Sequence, residues 1–448
     1  MFFQFGDRPD PTHSRRVPQR PATFGPVIAL PLWLAPLIAL LFAPMPSALA
    51  QHGIPLTLAE AEDLALAAEP GQQAMRARAA ALDEQAVVAG ALPDPMLRIG
   101  LNNYPIESGG FTTEGMTNAG AIYRQAFPRG DTRSLGHRKF VRMAEAQRQE
   151  ADARGEDVLA ATRVAWLDLY YWSRAGELVR ESRPFFDDLV TVTRSLYSVG
   201  RRNQQDVLRA DLELSRLDDR LIDIERQQRR ARAQLRQWIG DDATRRVADK
   251  LPQWDDAPPL EDLLVSLQAH PSLQAADARI GSTDTGVELA EQRNKPGWSL
   301  DVGYAHRNGS LPNGDPRSDF VTVGVTVDLP FFRRKSVDST LSAALQEHSA
   351  AIADRERLLR SLESELAAEY ARWQELSRRL ALYEERILVQ VKEHAQASLL
   401  AYQADRGDFA EVMRGYIDDL NTRIDYVRLD VERAQAYAVL ANLGGIPR

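Results

Sequence analysis

The sequence predicts an α+β chain built from two tandem copies of one element order: helix, strand, strand, long helix, tight tip, long helix. Three observations predict it. Landmarks recur at a near-constant spacing, short segments alternate apolar and polar residues, and two very long stretches carry almost no helix breaker.

The recurrence runs through the whole chain. "AAEPGQQAMRA" resembles "QAHPSLQAADA", which matches Pro70 with Pro271. "LPDPMLRIGL" resembles "KPGWSLDVGY", matching Gly100 with Gly303. "YRQAFPRGDTR" resembles "TVDLPFFRRKS", matching Pro128 with Pro330. "ARAQLRQWIG" resembles "AYAVLANLGG", matching Gly240 with Gly445. The successive offsets are 201, 203, 202 and 205 residues. A period this long marks a duplicated domain, because solenoid repeats run only about 20–50 residues.

At the N-terminus, Arg15, Arg16 and Arg20 precede an apolar run from Val27 to Phe42, and "PSALAQ" follows. Ala48 and Ala50 give the small-x-small pattern of a signal-peptidase site, with the cut predicted after Ala50. An uncleaved membrane anchor is the alternative, against which Pro31 and Pro36 interrupt the run. No later segment approaches the ~20 apolar residues of a membrane helix. The sequence has no cysteine, so disulfides, thiolate metal sites, thiol nucleophiles and a lipid anchor at the mature N-terminus are not expected.

Each copy opens with a helical segment, from Leu58 to about Leu92 and from Leu260 to about Asn294. Strand candidates follow. In "SDFVTVGVTVDLP", Val321, Val323, Val325, Val327 and Leu329 share one face, and Thr322, Gly324, Thr326 and Asp328 share the other. In "SLDVGYAH", Leu300, Val302 and Tyr304 oppose Asp301, Gly303 and Ala305. In "MLRIGLNNY", Leu97, Ile99 and Leu101 oppose Arg98, Gly100 and Asn102. "AGAIYRQAF" alternates poorly. The lengths suit a tilted transmembrane strand of about 9–11 residues, but an amphipathic sheet in a soluble domain has the same pattern.

The long helices come next. From about Arg133 to Ser198 the one strong breaker is Pro184, which should kink or reset the helix. The counterpart from about Ser336 to Gln403 has neither proline nor glycine. Helices this long need a partner along their length. Leu214, Leu217, Leu221, Ile224, Gln228, Ala231, Leu235 and Trp238 follow the 3-4-3-4 spacing of a coiled-coil seam with one polar member. Arg216, Asp219, Arg220, Arg226 and Arg229 fill the other faces, as on a solvated surface.

Two tips join the long helices, "LYSVGRRNQQDVLRADLELSRL" and "AYQADRGDFAEVMRGYIDDLNTR". Tyr197 and Tyr402, Val207 and Val412, and Arg209 and Arg414 each stand 205 residues apart. Gly200 can supply the left-handed residue that closes the first helix, and Asn203 or Gln204 can start the next. In the second tip Gly407 and Asp408 are expected to do the same, with Asp408 as the N-cap. Both tips therefore have a full structural explanation. A docking surface is the functional alternative, supported by exposed Arg201, Arg202 and Arg406.

No catalytic constellation is present: no phosphate loop, no nucleophile elbow, no spaced histidine–carboxylate set. Asp218-Asp219 and Asp418-Asp419 are adjacent on helices and diverge by ~100°, which does not make a shared site. The net charge of −8 leaves no basic excess to hold a nucleic acid. No enzyme activity and no cofactor or metal site are expected.

The ordered set of segments resembles the TolC-type outer-membrane efflux proteins. "YSVGRRNQQDVLRA" and "YQADRGDFAEVMRG" match that family's tip turns, and "ALPDPMLRIGLNNYPI", "EGMTNAGAIYRQAFPRGDTR" and "NLGG" add to the match. The proline-rich strand entry and "GMT…QAFP" resemble members associated with heavy-metal cation efflux. The likeness covers essentially the whole mature chain. It implies a signal peptide at 1–50, a first repeat at 51–247, a linker at 248–259 and a second repeat at 260–448. It also implies a homotrimer with a twelve-strand outer-membrane β-barrel, continued by a periplasmic α-helical coiled-coil tunnel. A periplasmic adaptor and an inner-membrane pump would be partners, and small solutes, heavy-metal cations or drugs would be the cargo.

By that resemblance Glu411, with Asp206 at the matching place in the first tip, belongs to the periplasmic gate. Val199, Gly200, Arg201, Arg202, Asp405, Arg406, Gly407 and Asp408 belong to docking tips. The family's second acid, three positions on, is replaced by Arg414. Its Val-Gly pair is Ala404-Asp405 in the second tip, its arginine is displaced to Arg406, and the cysteine of lipidated relatives is replaced by Gln51. A periplasmic coiled-coil adaptor or a structural coiled-coil protein are the alternatives. An adaptor should show one hairpin rather than two, and a soluble coiled coil leaves the valine face of Val321–Val327 unexplained.

Overall fold

The computed structural model describes residues 55–446 apart from 68, 202, 255 and 330–332. The signal segment and the cut after Ala50 that the sequence predicts, with Gln51, Arg202 and the landmark Pro330, lie outside the described residues. The first half runs α1 (Leu58–Ala67), α2 (Pro70–Gly90), β1 (Met96–Asn102), β2 (Asn118–Phe127), α3 (Thr132–Ser198) and α4 (Gln204–Ile239). The second runs α5 (Leu260–Leu267), α6 (Pro271–Glu291), β3 (Trp298–His306), β4 (Phe320–Val327), α7 (Arg334–Leu382), a π turn (Tyr383–Ile387), α8 (Leu388–Gln403) and α9 (Phe409–Gly444). No described helix is long and apolar enough to cross a membrane.

Local chemistry sets the helix starts. Pro70 and Pro271 occupy the first turns of α2 and α6, where a missing N–H costs nothing. The residues before them cap: Glu69 accepts from the Gly71 N–H, and His270 accepts from the Ser272 N–H. Glu69 and His270 hold matching places in the two copies.

No reset occurs at Pro184, and the irregular turn falls in the proline-free counterpart instead. The 67-residue α3, about 100 Å long at ~1.5 Å per residue, runs through Pro184 without a break. Pro184 leaves the Arg180 carbonyl without a helical partner, and both residues are exposed. The proline-free counterpart is instead divided by the π turn. There Glu384 accepts a 2.6 Å hydrogen bond from the Tyr426 hydroxyl of α9.

α3 is the axis of the packing, with α1, α2, α4, α6 and α9 against it. Trp166 of α3 is fully buried and its Nε1–H donates to the Leu56 carbonyl, 3.1 Å away. The seam of α4 forms as its spacing requires. Leu217, Ile224, Ala231 and Leu235 are buried, and Leu214, Leu221 and Trp238 pack beside them. The polar member, Gln228, donates from Nε2 to the Trp172 carbonyl at 3.0 Å. Arg163 and Glu62, both buried, form an ion pair of 2.5 Å between α3 and α1. Losing one partner would strand a buried charge. The proline-rich segment after Asp249 is also packed: Trp254 stacks on Tyr437 of α9 with ring centroids 5.3 Å apart.

Candidate functional site

The four strands form one antiparallel sheet in the order β1-β2-β3-β4. Register decides what each face carries. Leu97, Tyr123, Val302 and Val323 lie side by side across the sheet, and so do Ile99, Ala121, Tyr304 and Val321. A third row joins Phe127, Trp298 and Val327. One face is therefore mostly apolar, and it is open: Ile99 is 76% exposed and Val323 68%. Trp298 stacks on Phe127 at 4.1 Å where the sheet meets the helices. Tyr304 stands six residues further along β3, about 20 Å at ~3.4 Å per residue.

The opposite face is polar. It holds Arg98, Arg124, Asp301, Thr322 and Thr326. Arg124 pairs with Asp301 at 2.5 Å, and the Thr326 hydroxyl donates to the other Asp301 oxygen at 3.1 Å. The poor alternation of β2 has its cause here. Ile122 sits on the polar face between Arg98 and Gly303, and Gln125 sits on the apolar one.

At the first tip Gly200 has φ 73°, and the Arg201 N–H donates to the Leu196 carbonyl at 2.9 Å. This is the left-handed closure expected of Gly200. The second tip closes in the same geometry, Arg406 N–H to Ala401 carbonyl at 2.9 Å, but on Asp405 with φ 58°. The expectation that Gly407 supplies the left-handed residue is corrected. Asp405 stands 205 residues after Gly200, and a short polar side chain tolerates that conformation. Gly407 is needed for closeness instead, since a Cβ there would lie 2.9 Å from the Tyr402 backbone nitrogen. Asp408 caps α9 by accepting from the Ala410 N–H at 3.3 Å. Asn203 is the N-cap of α4. Val199, Arg201, Asp405, Arg406 and Asp408 are exposed.

Asp206 and Glu411 lie in the first turns of α4 and α9, where a carboxylate suits the helix dipole. The structure does not join them through any hydrogen bond among the described residues. Glu411 is bound instead to Arg414, one turn on, at 2.7 Å. The pair could be read from the i,i+3 spacing, whereas the role of Asp405 could not. Among the described residues no group of three or more metal-binding side chains occurs.

The two tips are packed differently. Tyr402, Phe409, Val412 and Met413 join the main core with Phe186, Leu189 and Val190 of α3. Their counterparts in the first copy are open: Tyr197 is 46% exposed against 5% for Tyr402, and Leu208 61% against 2% for Met413.

Residues 265–445 match the family described as outer membrane efflux protein. The match covers less than half of the chain. The efflux-protein segment takes in α6 to α9 and both strands β3 and β4. No curated protein sequence matches the chain. Among solved structures, the outer-membrane channel OprN is 18% identical with a TM-score of 0.70, over 87% of this chain and 90% of that one. The outer membrane protein VceC from Vibrio cholerae is 17% identical with a TM-score of 0.71, over 86% and 96%. CusC is 15% identical with a TM-score of 0.66, over 86% and 92%. The chain therefore has the fold of these proteins along nearly its whole length, outside the efflux-protein segment as well as within it.

Proposed function

We propose that the chain is the outer-membrane channel of a tripartite efflux pump, a passive conduit and not an enzyme. The observation that carries this reading is the sheet. Its apolar face is uncovered, its polar face holds an ion pair, and β1 and β4 each have an unpaired edge among the described residues. Backbone groups cannot stay unpaired in lipid, so such a sheet must close. Three copies supply twelve strands, an even number within the range of outer-membrane barrels. Apolar residues then face lipid, and Arg124 and Asp301 line the lumen.

The helices support a ring of copies. α9 lies against α3, which buries Val412 and Met413. Val207 and Leu208 occupy the same places on α4, where Val207 is half-buried and Leu208 is 61% exposed. A helix of a second copy, standing to α4 as α3 stands to α9, covers them and continues the tunnel.

In this reading residues 51–247 and 260–448 are two repeats joined by 248–259. Residues 1–50 direct export and are cut off after Ala50, with no lipid anchor. The tips, from Val199 to Arg202 and from Asp405 to Asp408, meet a periplasmic adaptor and through it an inner-membrane pump. Asp206 and Glu411 belong to the constriction at that end. The cargo is a small solute, a heavy-metal cation or a drug.

Membrane fractionation and planar bilayers test the reading. A heat-sensitive trimer in the outer-membrane fraction that conducts ions is the expected result. A soluble monomer, or a trimer without conductance, overturns it.

A further inference from the structure

A pocket of about 240 Å³ lies where the α5–α6 junction and the end of α9 meet α3. Glu156 and Arg163 of α3, Ser266 and His270 at the junction, and Asn442 of α9 are among its lining. His270 is 8% exposed. Its Nδ1 accepts the Ser272 N–H at 3.2 Å, so the neutral ring carries its proton on Nε2. That Nε2–H is buried and has no hydrogen-bond partner among the described residues. Asn442 Oδ1, in the same pocket, is buried without a partner too. One is a donor and the other an acceptor.

The first copy handles the same place differently. Glu69 caps α2 as His270 caps α6, and its other partner is a side chain, Arg154 of α3 at 3.3 Å. His270 lies within reach of the Asp157 charge on α3, and the pocket it lines also holds Glu156 and Arg163, the latter already paired to Glu62. No charged side chain of α5 or α9 lines the pocket among the described residues. Buried polar atoms in native proteins are almost always paired, and water pairs them where space and partners allow. At ~30 Å³ per molecule the pocket has room for several waters.

We propose that this pocket is a water-binding site. Ordered water accepts from His270 Nε2–H and donates to Asn442 Oδ1, directly or through a second molecule. It fixes the imidazole in the neutral tautomer that caps α6. The water thereby ties the start of α6 to the end of α9.

A double-mutant cycle in the full-length protein tests this through thermal midpoints. His270→Ser keeps a capping oxygen but lacks the Nε2 donor, and Asn442→Leu removes the acceptor. The expected result is a lower midpoint for each single variant and a double variant no lower than the worse single, because one shared water network is lost once. Additive effects, or a rise in either single variant, overturn the proposal. Density for the wild-type protein at about 2 Å resolution decides it independently of the variants' folding. Water peaks linking the two atoms support it, and an empty pocket overturns it. Neither readout depends on conductance, so the result stands apart from that of the channel reading.

Discussion

Val323→Arg is the most direct perturbation of the apolar face. Val323 sits mid-strand in β4, opposite Val302, and is 68% exposed in the single chain. If water covered that face, the substitution would change stability by no more than about 0.5 kcal/mol, as exposed positions do. If lipid covers it, arginine near the bilayer midplane costs about 2–4 kcal/mol. That is roughly a 30- to 900-fold change in the folding equilibrium of each chain. Thr322→Arg, on the neighbouring residue but on the polar face, is the internal control and is expected to stay within about 0.5 kcal/mol. Folding into lipid vesicles is followed by urea titration, with loss of the heat-sensitive trimer band as a second readout. The reasoning is refuted if Val323→Arg folds as well as Thr322→Arg, or if both lose stability equally.

Three further outcomes are expected. Arg414→Ala unpairs Glu411 and should raise cation selectivity and block by divalent cations in planar bilayers, whereas Glu411→Ala should raise conductance or lessen that block. Unchanged currents in both would remove Glu411 from the constriction. Gly200→Ala should cost about 1–2 kcal/mol from the left-handed backbone alone, because a Cβ there meets nothing within 4 Å; the urea midpoint reads it. Burial holds the His270 imidazole below its ordinary value of 6.5, with Asp157 opposing. The unfolded chain therefore binds the extra proton first. Stability associated with His270 is present above about pH 6.5 and is lost as pH falls through the lower folded value. A melting-temperature profile should show this slope, and His270→Phe should flatten it; an identical slope in the variant would rule the effect out.

The element order was legible because it depends on local chemistry. Period-two strands, the seam from Leu214 to Trp238 and the recurring landmarks act locally, whereas the division of each opening helical segment at Pro70 and Pro271 was not read from the sequence. The tips were legible as turns for the same reason. Gly200 was assigned correctly, but Gly407 was given the role that Asp405 holds, since a glycine in the sequence does not say whether it serves a positive φ or a close approach. Pro184 was expected to kink or reset α3, and α3 continues through it. Its effect depends on whether the orphaned carbonyl meets water, which only the packing fixes.

The sequence by itself determined two copies of helix, strand pair and long hairpin, with an apolar face on β4. Only the tertiary structure decided that the faces of all four strands align, because register is set by pairing between segments as far apart as Tyr123 and Val302. It also decided that the apolar residues flanking one tip, Tyr402 and Met413, are buried against the core while Tyr197 and Leu208 beside the other stay open. Two segments with the same local sequence pattern fold alike, but what covers them depends on which helix the rest of the chain brings alongside.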